Sequence, residues 1–445
     1  MGSFWLPSER VRDADRVEGV LKHSAEGIYL ELDSKRLHAA FSLTPSTRDA
    51  WQRRVVGKLA DGLFVSMKGC DQTGTTIHSM RRETRMAFTV SGHVFLSNDE
   101  ELVAPDEISA HQAYVEIVGL PEWFASALSR PYPSMPYATG IPLTRNARVE
   151  AECEDSNFEI SLDDDFKLRI RNTLYWGSNS LFDLKVRQAT VAQIRAAGLV
   201  TADCILEKVR PLVDLVRFLS GENCVVRNAY LFRTDRALPE KYGGGPIGVR
   251  LLTCEKGHQF AGWGEMLFRW RDIAGHENKI LRGWYRLYAE KTYALRLLDR
   301  VVSQGESAEG GIVLMVGAMQ ALTSHRGDEM YEKFLKDLGI KSWGIPVATF
   351  GKRIANLRNA PAHGRQFPKD EDIDSIYRFV IAAMRVYFLK KMGFSKEQVC
   401  RIARRHGGVR EGLGLSQENL ETDALNEMRQ PGWIMEGRAM REKHD

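Results

Sequence analysis

The chain is sparing with cysteine. Six are scattered through 445 residues, at Cys70, Cys153, Cys204, Cys224, Cys254 and Cys400, and no two form a CxxC pair. That spacing excludes a disulfide scaffold and fits a reducing compartment, so a cytoplasmic protein is expected. Long hydrophobic runs are missing too. The longest, around positions 312–322, is too short to span a bilayer, so no membrane partner is expected. The N-terminal MGSFWLPSERVRDADR turns charged too early for a signal peptide. Charge of one sign is also scarce. The 62 Lys and Arg against 58 Asp and Glu leave a net +4. A global field that weak does not demand a nucleic-acid partner, and any RNA surface must be a local patch. There is no internal repeat and no low-complexity segment.

What the chain does have is apolar bulk: 43% of residues are hydrophobic, enough for at least one large core and two or three domains. The first half reads as β-rich. GIYLELD (27–33) alternates Ile28, Leu30 and Leu32. FTVSGHVFL (88–96), AYVEIVGL (113–120), NFEISL (157–162) and FKLRIRN (166–172) are short β-branched and aromatic runs between turn formers. A helix is predicted over 201–219 and a strand over 224–232. Gly and Pro cluster in DRALPEKYGGGPIG (235–248), the best linker or long-loop candidate.

After about residue 262 the apolar period becomes 3.6. Trp284, Leu287, Tyr288, Ala294, Leu295, Leu298 and Val302 mark one helix, and positions 312–322 a second that runs on toward His325. Phe350, Ile354 and Leu357 mark a shorter one, and Ile373, Ile376, Val380, Met384 and Tyr387 a long last one. The expected class is therefore α+β: a β-rich N-terminal region over 1–262, dividing again near 145 if it holds two subdomains, then an all-α bundle over 263–445. Short connections are expected at 303–310 and 365–372.

The short helix runs into RNAPAHG (358–364). In a straight helix Asn359 and His363 share a face. Arg358 and His363 are five apart, which splays them by about 140°. Pro361 has no N–H for the Leu357 carbonyl and pushes Ala360 out of the helical region, so the helix should kink or end there. The bend lets the three polar side chains converge. Histidine moves a proton near neutral pH. The arginine fork matches phosphate oxygens and stabilises added negative charge. Asparagine orients the imidazole or the phosphate. Together they suit cleavage of RNA by its own 2′-OH, which needs no metal and no cofactor; DNA lacks that hydroxyl.

Arg358-Asn359-x-x-x-His363 resembles the RNxxxH signature of the HEPN superfamily, helical bundles that include many metal-independent endoribonucleases. The context is similar as well, with helices before the motif and a final long helix ending in YFLKKMGFS (387–395). GSFWLPSE (2–9), GIYLELD and VEIVGLPEWF (115–124) resemble the N-terminal domain of the ApeA family of anti-phage abortive-infection proteins, which joins such a domain to a C-terminal HEPN nuclease. The resemblance implies catalytic roles for Arg358, Asn359 and His363. It implies two bundles paired so that their motifs face one another, hence a homodimer or higher homo-oligomer. It implies cleavage of tRNA at the anticodon loop after a phage-derived trigger protein is sensed by a regulatory N-terminal region. Family members often carry a glutamate where this chain has Gln320.

Blander readings stand beside these. RNxxxH can be a helix end capped by polar residues. The other Arg-Asn pairs, at 145, 171 and 227, have no histidine five positions after the arginine. The bundle can also be a catalytically inactive module that binds RNA or nucleotides, or dimerises. Gly243, Gly245 and Gly248 fit GxGxxG, but a strand-like run follows instead of a helix, so a loop or hairpin is expected. Cys254 and His258 lack a second close pair, so no zinc site is expected. RIARRHGGVREG (401–412) is either a solvated helix end or a surface that steers phosphates. Lys352, Arg353, Arg365, Arg404 and Arg405 are the candidate RNA contacts.

Overall fold

The computed structural model describes residues 1–5, 16–24, 27–34, 54–78, 83–103, 108–124, 157–180, 183–237, 246–252, 266–303, 306–324, 328–338, 354, 357, 359 and 373–415. The chain divides into two compact units. Unit 1 takes 1–216 and 223–261; unit 2 takes 217–222 and 262–445. The class is α+β, with strands in the N-terminal region and helices after it.

Unit 1 carries one antiparallel sheet. Its strands are β1 (Gly2–Trp5), β2 (Val17–Ser24), β3 (Gly27–Ser34), β4 (Arg54–Leu59), β5 (Phe64–Lys68), β6 (Cys70–His78), β7 (Glu83–Val90), β8 (Val94–Ser97), β9 (Ser109–Ile117), β10 (Asn157–Ser161), β11 (Phe166–Ser180), β12 (Asp183–Thr201), β13 (Val226–Ala237) and β14 (Pro246–Leu252). The order across the sheet is β10-β11-β12-β9-β13-β14-β8-β5-β4-β1-β2-β3-β7-β6. One core cluster forms on β1 to β8, where Phe4, Ile28, Leu30, Val55, Met67 and Phe88 are buried. Gly57 sits under the Phe4 ring, and a Cβ there would strike it.

Several expected strands change their bounds. The run 88–96 is two strands, because Gly92 sits so close to the Lys68 carbonyl that a side chain there would collide with it. The run 113–120 leaves the sheet after Ile117, and a short helix, Leu120–Phe124, buries Trp123 and Phe124. The strand expected over 166–172 extends to Ser180 and pairs with a strand over Asp183–Thr201 whose apolar alternation is weak. The linker expected over 235–248 is partly strand: β13 and β14 pair in register, with Phe232 opposite Gly248. Gly248 is therefore a strand residue, and Gly243 and Gly245 lie outside the described residues, as do Cys254 and His258.

Numbering helices in chain order, α1 is Glu100–Val103, α2 is Leu120–Phe124 and α3 is Ala202–Ser220. In unit 2, α4 (Glu277–Ser303) leaves helical geometry at Lys291, with φ −132° and ψ 26°. Next, α5 (Ala308–Thr323) starts inside the expected connection because Ser307 caps it, accepting from the Gly310 N–H at 3.2 Å. A helix not expected from the sequence, α6 (Asp328–Leu338), buries Met330, Tyr331, Phe334, Leu335 and Leu338. The long α7 (Ile373–Met392) packs against α4, α5 and α6. It ends at Gly393, whose φ of +104° only glycine adopts at low cost, and the Phe394 N–H returns to the Leu389 carbonyl at 3.3 Å. Two short helices close the described chain, α8 (Lys396–Arg405) and α9 (Gly407–Gly412). No described helix is long and apolar enough to cross a membrane.

Candidate active site

The RNAPAHG segment follows α6 and precedes α7. Ile354, Leu357 and Asn359 are helical. Ile354 and Leu357, three apart, are 1% and 0% exposed, so one face of this turn is anchored in the core. Asn359 lies two residues past Leu357, about 200° round the helix, and is exposed. The apolar positions thus turn Asn359 away from the core. Arg358, His363 and the bend expected at Pro361 lie outside the described residues, as do Lys352, Arg353 and Arg365. Gln320 is described: it sits half-buried in the last turn of α5, where its carbonyl accepts the Ser324 N–H at 2.9 Å.

The basic stretch after α7 is structural in part. Arg405 makes two bonds to Asp272, at 2.7 and 2.5 Å. Burial alone would raise the Asp272 carboxyl. The Arg405 fork and the Arg269 N–H outweigh it and hold the carboxyl below its ordinary range. Arg404 is half-buried in the last turn of α8. His406 is 7% exposed and caps α9, its Nδ1 accepting the Val409 N–H at 3.2 Å. Its Nε2 lies 3.3 Å from Arg385 on α7. Burial pushes the Arg385 guanidinium down to about 10, and its Nε has no hydrogen-bond partner. A neutral imidazole has a single acceptor nitrogen, yet two donors face this ring. Sequence reading missed Arg385; its signal was a charged residue inside the apolar run of α7.

A cavity of about 270 Å³ opens where the start of α4 meets the start of α8, lined by His276, Lys279, Ile280, Ser395, Glu397 and Arg401 among others. Its Glu397 carboxyl is held low by its own backbone N–H and by Ser395. Among the described residues no group of three or more His, Cys, Asp and Glu side chains is placed to hold a metal ion.

A family model described as ApeA N-terminal domain 1 matches residues 1–284, well over half of the chain. The chain belongs to the ApeA family. Membership associates it with anti-phage defence. Comparison with curated proteins and with solved structures gives no match. The segments that carry the ApeA resemblance are core elements: GSFW is β1, GIYLELD is β3 but for its last residue, and VEIVGLPEWF runs from β9 into α2. Phe4, Leu30 and Trp123, one from each, are all 0% exposed.

Proposed function

We propose that this ApeA-family chain is an anti-phage endoribonuclease whose C-terminal bundle is a HEPN domain. The observation that carries this reading is the sequence Arg358-Asn359-x-x-x-His363 directly after Ile354 and Leu357, which are helical and buried, with Asn359 helical and exposed. His363 takes the proton of a ribose 2′-OH. The 2′-oxygen attacks the adjacent phosphorus as the P–O5′ bond breaks, and a proton goes to the leaving 5′-oxygen. Products carry a 2′,3′-cyclic phosphate and a 5′-hydroxyl. Arg358 stabilises the charge gathering on the phosphoryl oxygens, and Asn359 positions the phosphate or the imidazole. Two motifs facing one another in a homodimer provide one base and one acid.

The substrate in this reading is tRNA, cut in the anticodon loop, where bases are unstacked and the backbone can reach in-line geometry. A phage-derived protein acts as the trigger. Lys352, Arg353, Arg365 and Arg404 contact phosphates. Arg405 is already engaged by Asp272, so its contribution to RNA is secondary to holding α8.

The test is a denaturing gel of total tRNA with purified protein in excess EDTA, alone and with phage-infected lysate. Discrete half-length fragments from wild type, absent with Arg358→Ala and His363→Ala, are expected. Fragments that persist in both variants, or none from wild type even with infected lysate, reject the nuclease and leave a binding module.

A further inference from the structure

We propose that the polar face of strands β11, β12, β9, β13 and β14 in unit 1 binds single-stranded nucleic acid, with bases stacked on Tyr114, Tyr230 and Phe232 and phosphates held by Arg171, Arg195 and Arg250. Register puts these residues together. Tyr114 of β9 lies opposite Gln193 of β12 and Tyr230 of β13. Phe232 lies opposite Gln112, and Arg250 opposite Tyr230. Directly opposed residues share a face. The alternate residues Ala113, Val115, Ile194, Leu231 and Leu251 are all buried on the other face. The sheet is thus apolar on one side, and on the other it carries aromatic rings among arginines.

The rings form one cluster. Tyr114 meets Phe232 edge-on at 5.3 Å, and Phe232 stacks with Tyr230 at 6.5 Å between centroids. All three are half-buried. The Arg171 guanidinium sits 4.9 Å from the Tyr114 centroid. Gln193, 0% exposed, has its amide 3.0 Å from the Tyr114 hydroxyl and 2.9 Å from the Gln112 amide, which fixes the tilt of the ring. With that amide oxygen turned toward it, Arg195 Nε donates at 2.8 Å. The platform is held in place before any ligand arrives, which lowers the entropic cost of binding.

The charges favour a polyanion. Among the described residues none of the three arginines has an ion-pair partner. Arg195 and Arg250 are exposed, and Arg250 lies 3.4 Å from the Asn228 amide oxygen. Glu116 on the same face is engaged by Asn228 at 3.0 Å. Arginines alone would suit any acidic partner. Three clustered rings on adjacent strands suit unstacked bases, since every base has a π-face, and sheet aromatics stack bases in this way. The surface belongs to unit 1 and RNAPAHG to unit 2, and failure of this proposal would leave the nuclease reading intact.

The test is fluorescence anisotropy of the full chain with fluorescein-labelled (dT)20, which has no 2′-OH and survives any 2′-OH-dependent cleavage. Titrations run at 50, 100 and 200 mM NaCl. Wild type is expected to bind with a Kd of micromolar order or tighter at 50 mM. Tyr114→Leu and Phe232→Leu keep apolar bulk and lose the ring, and each should weaken binding about 5- to 100-fold. Arg195 and Arg250 are both exposed; Arg250→Ala leaves the buried residues untouched, while Arg195→Ala also gives up its bond to the buried Gln193 amide. Each should weaken binding about 3- to 10-fold and lower the log–log salt slope by about 1. Thermal melts check folding; if a ring variant melts early, the two arginine variants decide. No binding at 50 mM NaCl overturns the proposal, as does wild-type affinity in both arginine variants. Equal displacement of (dT)20 by a poly-glutamate of matched charge overturns it in favour of an acidic protein partner.

Discussion

Arg385 is a buried charge on α7. It has no carboxylate partner among the described residues, and burial holds its guanidinium at about 10, well below its ordinary value. A gap of that size corresponds to about 3 kcal/mol of cost for keeping the charge inside. Its 3.3 Å approach to His406 Nε2 returns at most about 1 kcal/mol, and only when that nitrogen rather than Nδ1 is the ring's acceptor. Arg385→Met keeps length and apolar contact and removes the charge. The variant should therefore be more stable by about 2 kcal/mol, which for a unit of this size raises Tm by roughly 4–8 °C. The sign with pH follows. Below about 10 the guanidinium is charged in both the folded and the unfolded chain, so the cost is present in full. It is relieved as pH rises above about 10 toward the group's ordinary value, a range in which the unfolded chain holds the extra proton. The advantage of Arg385→Met should be constant from pH 6 to 9 and shrink above 10, measured by thermal melts of the full chain. If Arg385→Met instead lowers Tm by several degrees at pH 7, the guanidinium has an anionic partner in solution and the reasoning fails.

Three further outcomes are expected. Gly283→Ala on α4 would drive its Cβ into the Met392 carbonyl of α7, two backbones that cannot yield, and should cost about 1–3 kcal/mol by urea titration. Arg405→Ala should cost about 1 kcal/mol at pH 7, discounted because Arg405 is 39% exposed. Because Asp272 is held low, that difference is present above the unfolded carboxylate value near 4 and disappears as pH falls through the lower folded value, which melts from pH 6 to 3 will follow. Leu357→Ala removes a fully buried anchor and should cost about 2–5 kcal/mol, with tRNA cleavage falling alongside stability.

The helical half was legible because its apolar residues recur at helical spacing. α4 and α5 each bury a wide apolar stripe, a 3.6 period survives a kink such as that at Lys291, and α7 is apolar enough to be buried on every side from Ala382 to Leu389. The helix α6 was missed because Asp328, Glu329, Lys333, Lys336 and Asp337 dilute its five buried residues. The sheet was legible only where one face is apolar and the other polar, as along β3. The strand β12 escaped because Ala189, Ala192, Ala196 and Ala197 flatten its alternation; its place comes from pairing with β11 and β9, contacts far apart in sequence. The bounds of β7 and β8 were lost for a different reason, since the turn Ser91-Gly92-His93 lies between two apolar ends that read as one strand.

The two candidate sites differ in how sequence records them. RNAPAHG is local: three chemical groups within six positions, readable without a fold, and buried Ile354 and Leu357 supply the anchored face that such a motif needs. The sheet platform is not local. Tyr114, Arg171, Arg195, Phe232 and Arg250 come from five strands, and their nearest spacing along the chain is 18 residues, between Phe232 and Arg250. No window of sequence holds two of them in a pattern. Antiparallel register alone brings them onto one face, with Gln193 buried beneath to fix the ring of Tyr114. If the chain acts on RNA through RNAPAHG as proposed, it has reason to hold single strands elsewhere, because a weak global charge of +4 cannot gather substrate by itself. In that reading a local patch of arginines and rings gathers it, through contacts that fall away as salt rises.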